Sequence, residues 1–183
     1  MEAGRVVKTF TSKKGHEVVI RYPRWEDLDD LTTYINELSQ EDTFIEFSKE
    51  AVTKESEARY LSSNFCAIEK GDMIQLFLFV DRKFAGNCAV TRGIRRRAHV
   101  GEIGIAVSKN FREEGIGTVF LETLIEEIKK MKGITVLTLT CYENNPRALH
   151  VYEKLGFQKV GVVPGAIAFH GEFVGEVMMY KTL

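Results

Sequence analysis

Apolar side chains recur along this chain in two rhythms, and the switches between them divide it into elements. Residues 6–10 and 17–22 are short, β-branched stretches on either side of Ser12-Lys13-Lys14-Gly15, which predicts an opening strand pair. Pro23 stops it. From Trp25 to Leu38 the rhythm turns helical: Leu28, Leu31, Ile35 and Leu38 share one face, and Glu26, Asp27, Asp29 and Asp30 load the first turn, where the helix dipole favours them. Residues 39–50 read as a loop. A second helix is predicted from Thr53, a suitable N-cap, to Phe65. Met73–Val80 and Phe84–Gly93 read as two strands joined by a turn at Asp81-Arg82-Lys83. Ile103–Val107 is an apolar run of strand length, and Val119, Phe120, Leu121, Leu124, Ile125, Ile128 and Met131 carry a helix over 118–131. Ile134–Cys141 is β-branched and nearly continuous, which predicts a strand buried on both sides. Asn145–Leu155 is a short helix with Pro146 in its first turn and Gly156 closing it. Phe157–Val163 and Phe173–Lys181 are the last strands, with His170-Gly171 in the loop between them.

This order predicts one α/β domain over 1–183 with a mixed sheet, antiparallel early and with a parallel βαβ unit at its centre. No repeat, low-complexity segment or linker interrupts it. The 183 residues carry a net charge of −1, so no basic field points to nucleic acid. No apolar run approaches the roughly 18 residues of a membrane span, and the amino terminus lacks the apolar core of a signal peptide. The expected partners therefore include neither nucleic acid nor membrane. The three cysteines, Cys66, Cys88 and Cys141, have no metal-ligand spacing and no disulfide parity; no metal site is expected, the compartment expected is the cytoplasm, and Cys88 and Cys141 read as small core residues.

The chemistry concentrates in residues 101–117, GEIGIAVSKNFREEGIG, where a strand runs through a glycine-bearing turn into a helix. Such an order aims unpaired backbone N–H groups and the positive end of a helix dipole at one spot, which favours phosphate. The expected ligand is the diphosphate of a cofactor; the alternative is that Gly115 and Gly117 merely allow close packing. A P-loop would need Gly-Lys-Ser/Thr, but Gly117-Thr118-Val119 stands here. A dinucleotide fold would need a third glycine and an acidic residue ending the next strand, but that strand ends Thr140-Cys141-Tyr142.

Downstream stands Asn145-Pro146-Arg147-Ala148-Leu149-His150-Val151-Tyr152-Glu153-Lys154-Leu155-Gly156-Phe157. Together with Arg112-x-x-Gly115-x-Gly117, it resembles the GNAT superfamily of acetyl-CoA-dependent N-acetyltransferases. The first motif matches that family's Arg/Gln-x-x-Gly-x-Gly/Ala signature, and the second its Asn-x-x-Ala-x-x-x-Tyr-x-x-x-Gly-Phe signature. The resemblance spans about residues 21–179. It includes an entry at Arg21, Asp27 and Leu28 and a late Gly171-Glu172-Phe173…Met178-Met179 strand, similar to the branch with small-amine, amino-acid and ribosomal-protein N-terminal acetyltransferases. It implies a single-domain GNAT-like fold, a mixed twisted sheet with central splayed parallel strands and flanking helices.

The resemblance also implies roles. The pyrophosphate of acetyl-CoA, the co-substrate, would sit on the backbone N–H groups of Arg112, Glu113, Glu114, Gly115, Ile116, Gly117 and Thr118, with Arg112 as the one side chain of helpful sign. Glu113 and Glu114 depart from the family's basic or small residues there, and both are expected to point into solvent. The pantetheine arm would pair with the strand edge at Ile105, Ala106 and Val107, and an N–H near Ala106 would stabilise the oxyanion. Gly104 in that strand fits a bulge or close approach, or plain packing. Tyr152 matches the motif tyrosine that reaches the leaving sulfur as general acid. Asn145 would cap its helix and hold the pantetheine or orient the acetyl group. Glu102 is the base candidate, acting directly or through water, with an exposed strand-end carboxylate as its alternative; His99 and Glu143 are weaker candidates, and His150 reads as a surface residue.

The acceptor is expected to be an amine. Glu26, Asp27, Asp29, Asp30, Glu41, Asp42, Glu46 and Glu172 lie in segments that wall the acceptor site in the family, which suggests a cationic acceptor, with a solvated acidic face as the alternative. Arg92 and Arg95-Arg96-Arg97 face the adenosine 3′-phosphate, a partner or water. Protein-directed acetylation and a non-catalytic CoA-binding domain are the rival readings. Homodimers occur among relatives of the family, and nothing in the chain decides that state.

Overall fold

The computed structural model describes residues 3–41, 44 and 51–183. The elements in chain order are β1 (Val6–Thr11), β2 (Glu17–Arg21), α1 (Leu28–Gln40), α2 (Lys54–Glu69), β3 (Met73–Val80), β4 (Lys83–Arg92), β5 (Val100–Val107), α3 (Ile116–Ile128), β6 (Val136–Tyr142), α4 (Pro146–Lys154), β7 (Gln158–Phe169) and β8 (Glu172–Thr182). The strands hydrogen-bond in the order β1-β2-β3-β4-β5-β6-β8-β7. The chain divides into two compact units, residues 1–91 with 104–131 and residues 92–103 with 132–183.

In the first unit, β1, β2, β3 and β4 form an antiparallel meander. All eight residues of β3 are buried, because this strand is covered on both faces. Phe77 and Phe79 meet Leu31, Tyr34 and Leu38 of α1 and Leu61 of α2 in one apolar cluster, and α3 also packs on β3. Fully burying each such side chain contributes about 1.5–3 kcal/mol. Thr53 is the N-cap of α2, as expected: its side chain accepts from Ser56 N–H at 3.1 Å, and Ser56 Oγ accepts from Thr53 N–H at 3.0 Å. That helix runs four residues beyond the predicted Phe65.

The entry to α1 differs from the prediction. Trp25–Asp27 is a 3₁₀ turn, and Asp27 is buried rather than presented to an acceptor. Its carboxylate takes both arms of the Arg21 guanidinium, at 2.7 and 2.5 Å, and the N–H of Arg24 at 2.9 Å. Helix α1 also extends to Gln40, into the predicted loop. Of the remainder of that loop, Asp42, Ile45, Glu46 and Phe47 lie outside the described residues.

The second unit holds a parallel ladder of β5 on β6, Val100↔Val136 to Glu102↔Thr138, and antiparallel β6–β8 and β7–β8 ladders. Strand β6 is not buried on both sides as predicted. Leu137, Leu139 and Cys141 are buried, whereas Thr140 is exposed and Thr138 half-buried; the threonines mark a more open face that β-branching alone does not distinguish. Strand β7 runs past the predicted end at Val163, through Pro164 to Phe169, with its register shifting between Val163 and Ile167. Proline is tolerated there because β7 is the last strand of the order and has an edge that needs no donor. His170 and Gly171, at φ of 53° and 81°, make the tight turn into β8.

Candidate functional site

The predicted anion-binding loop begins where β5 ends. Lys109–Phe111 is a single 3₁₀ turn, Arg112 is extended, Glu113 and Gly115 take positive φ (66° and 79°), and α3 starts at Ile116. Gly115 is the N-cap and offers no side-chain cap, and the first turn of α3 carries no acidic residue. The N–H groups of Ile116, Gly117 and Thr118 therefore meet no intrahelical acceptor, while Val119 N–H makes the first helical bond to Gly115 O at 3.2 Å. A Cβ placed on Gly117 would meet no atom within 4 Å. An open helix terminus without competing carboxylate suits a diphosphate, so these residues fit the expected group.

The side chains of the loop depart from expectation. Glu114 does not point into solvent. It is 2% exposed, Ser12 Oγ donates to its Oε2 at 2.7 Å, and Lys14 Nζ lies 3.3 Å from its Oε1. The Ser12 hydrogen bond, with Lys14 beside it, holds this carboxyl below its ordinary value. Glu114 thus pins the loop to the β1–β2 turn, and Glu113 is the exposed one of the pair. Arg112 is committed within the protein. Its Nε donates to Val107 O at 2.8 Å and its Nη2 to Glu41 Oε2 at 2.7 Å, and Glu41 Oε1 also accepts from Lys109 N–H at 3.3 Å. Its positive charge already faces a carboxylate, so the loop's donors toward a phosphate are backbone groups.

Alternation along β5 decides which backbone groups face away from β4. Val100 O accepts from Gly93 N–H at 2.8 Å, Ser108 N–H donates to Ala85 O at 2.8 Å, and Ala106 O lies 2.8 Å from where a Cβ on Gly86 would stand. Even-numbered residues of the strand therefore direct their N–H and C=O toward β4. Odd-numbered residues direct theirs to the opposite edge: His99 O accepts from Thr135 and Val136, and Val107 O from Arg112. The edge donors are then Ile105 and Val107, not Ala106, because N–H and C=O of one strand residue share a side. Gly104 is exposed and a Cβ there would meet nothing within 4 Å, so no protein packing demands the glycine.

In the second unit, Asn145 caps α4, its Oδ1 accepting from Ala148 N–H at 3.2 Å. Tyr152 is 8% exposed and its ring stands edge-on to Phe157 at 6.1 Å. Burial, with the Cys141 thiol nearby, pushes the phenol well above its ordinary value, so it keeps its proton throughout the neutral range. Cys141 is buried and desolvation raises it to about 11, and Cys88 is buried and its thiol is likewise pushed well above the ordinary value, as small core thiols should be.

Glu102 is exposed on β5 and lines a hollow of about 220 Å³ with Arg92, Gly93, Ile94, Arg97 and Val100. His99 is exposed at the start of that strand, Glu143 is exposed after β6, and His150 is exposed on α4. Arg92 spans the turn, donating to Ala98 O at 2.7 Å and Lys132 O at 2.9 Å, and Arg95–Arg97 form an exposed 3₁₀ turn. Of the acidic residues expected along the acceptor wall, Asp27 is buried on Arg21, Asp29 pairs with Lys54 and Glu41 with Arg112, while Glu26, Asp30 and Glu172 are exposed.

Comparison with known proteins gives a consistent picture. The model of a family described as the acetyltransferase (GNAT) family matches residues 29–157. The chain is 27% identical over 108 residues to the L-amino acid N-acetyltransferase AaaT of Escherichia coli, covering 58% of this chain and 67% of that protein. It is 28% identical over 152 residues to an N-alpha-acetyltransferase of Sulfurisphaera tokodaii, covering 83% and 87%. The crystal structure of a GNAT-family acetyltransferase from Streptococcus pneumoniae superposes with a TM-score of 0.84 at 27% identity, covering 91% of this chain and all of that one.

Proposed function

This chain belongs to the acetyltransferase (GNAT) family, and we propose that it moves the acetyl group of acetyl-CoA to a primary amine by direct attack in a ternary complex, with a small amine, amino acid or polyamine as acceptor. The observation that carries the reading is the uncapped start of α3 behind Gly115, an anion site made of backbone, in a chain of this family. Acetyl-CoA supplies an activated acyl group on a thioester. The backbone N–H groups of Ile116, Gly117 and Thr118, with those of residues 112–115, hold its diphosphate.

The N–H and C=O groups of Ile105 and Val107 pair with the amides of the pantetheine arm, and an N–H on this edge donates to the carbonyl oxygen as charge develops there. Ile105 replaces Ala106 in that role because of the strand alternation. Tyr152 gives its proton to the departing sulfur, and burial keeps the phenol protonated until then. Asn145 fixes the start of α4 and so the height of Tyr152 along that helix. Glu102 takes the proton of the acceptor ammonium, directly or through water, and its exposure is consistent with a water relay.

A second reading, transfer to the amino terminus of a protein, is favoured by the coverage of the N-alpha-acetyltransferase relative, 83% of this chain. Thiol release from acetyl-CoA in the presence of L-amino acids, spermidine and short peptides with free amino termini separates the two. The expected result is turnover with the small amines. Turnover with the peptides alone would replace the first reading by the second, and calorimetry showing no acetyl-CoA binding would remove both.

A further inference from the structure

Glu143 follows the last residue of β6, and its backbone N–H donates to Gly175 O of β8 at 2.8 Å. The carboxylate is laid back over that glycine. Its Oε2 occupies the volume that a Cβ on Gly175 would need, its Cδ lies 3.2 Å from that point, and Val162 Cγ1 lies 2.6 Å from it. Gly175 is buried, so the missing side chain is what gives the carboxylate its seat. The same group lines a hollow of about 470 Å³ with Asn144, Pro164, Gly165, Phe173 and Val174.

Two features of this hollow define a ligand. Among the described residues Glu143 is the one charged group in its lining, and no lysine or arginine forms an ion pair with it. Phe173 leaves 79% of its surface in solvent, far more than a ring needed for packing would. A fixed carboxylate next to an exposed aromatic face attracts a cation on a hydrocarbon stem: the charge meets the carboxylate, and the stem covers the ring. An anionic group would be repelled, and a neutral polar one would gain little.

We propose that Glu143, seated on Gly175, and the hollow beside Phe173 form a subsite for a primary ammonium group of the acceptor, carried on a hydrocarbon stem. The proposal deepens, and rests on, the acetyl-transfer reading above. It also moves the acidic selectivity from the two ends of α1, where Asp27 and Glu41 are committed to arginines, to the segment between β6 and α4 that lies on β8.

Isotope-labelled protein saturated with coenzyme A is titrated by NMR with 1,5-diaminopentane and with 1-aminopentane, which share a stem and differ by one positive charge. The diamine is expected to shift the amides of residues 143–144 and 173–175 and to bind roughly five-fold more tightly than the monoamine, as one exposed ion pair allows. Glu143→Gln should remove that difference and Glu143→Asp should keep part of it, with the remaining spectrum preserved in both. Shifts confined to other residues, or an unchanged preference in Glu143→Gln, would overturn the subsite. Coenzyme A binding and thiol release on the same preparations test the acetyl-transfer reading separately: protein that binds the coenzyme and acetylates amines while ignoring Glu143 loses the subsite alone.

Discussion

In the proposed function the loop before α3 works through its backbone, whereas α4 and its cap work through two side chains. In the loop, the glycines and the helix start present N–H groups, and the side chains are turned to internal tasks: Glu114 to Ser12 and Lys14, Arg112 to Glu41 and Val107. At α4, Asn145 caps the helix through its Oδ1, and the proposed acid is the single hydroxyl of the buried Tyr152. Backbone sites tolerate exchange of exposed side chains but depend on whatever holds the chain's path. Side-chain sites fail at a single atom and leave the path intact. This difference explains how two glutamates stand in the loop without facing the helix start: one is exposed, and the other is an internal strut.

Removing one atom from α4 is the strongest test of this contrast. Tyr152→Phe should lower kcat about 100-fold with little change in the KM for acetyl-CoA, and a variant with full turnover would show that the helix does not work through that hydroxyl. In the loop, Glu114→Gln should lower Tm at pH 8 and raise the KM for acetyl-CoA while kcat at saturation holds. The pH dependence has a definite sign. The folded pKa of Glu114 is lowered, so its contribution is complete above the unfolded value near 4.5 and fades as pH falls through the depressed folded value. The Tm gap between wild type and variant should therefore close on acidification; a gap that does not narrow as pH falls would place the effect elsewhere. The smallest effect belongs to Asn145→Ala, which should cost about 1 kcal/mol for the lost cap, read as a fall of roughly 2–4 °C in Tm. A much larger loss of kcat than of stability would show Asn145 touching the substrate rather than only setting the helix.

Much of the fold was legible in the chain because its signals are local. The period of Leu31 and Leu38, the Thr53 cap, the run from Met73 to Val80 and the Asn145-Pro146 start of α4 each depend on a few neighbouring residues, and the structure contains them all. The loop at 112–117 was equally legible, since glycine at a helix start is a statement about backbone. Errors arose where a partner lies far away in sequence. Ser12 is 102 residues from Glu114, and Glu41 is 71 residues from Arg112. Asp27 read as a surface acid because the first-turn preference and the Arg21 ion pair call for the same residue type.

By itself the sequence determined the element types, the family and the glycine-led, uncapped start of α3, since hydrophobic period, capping residues and glycine positions act over a turn or two of chain. Tertiary structure decided which edge of β5 offers its donors, which glutamate of 113 and 114 is buried, and that Glu143 lies over Gly175. Those choices depend on hydrogen-bond partners and on the space left by residues remote in the chain, and no local pattern encodes a distant partner's position.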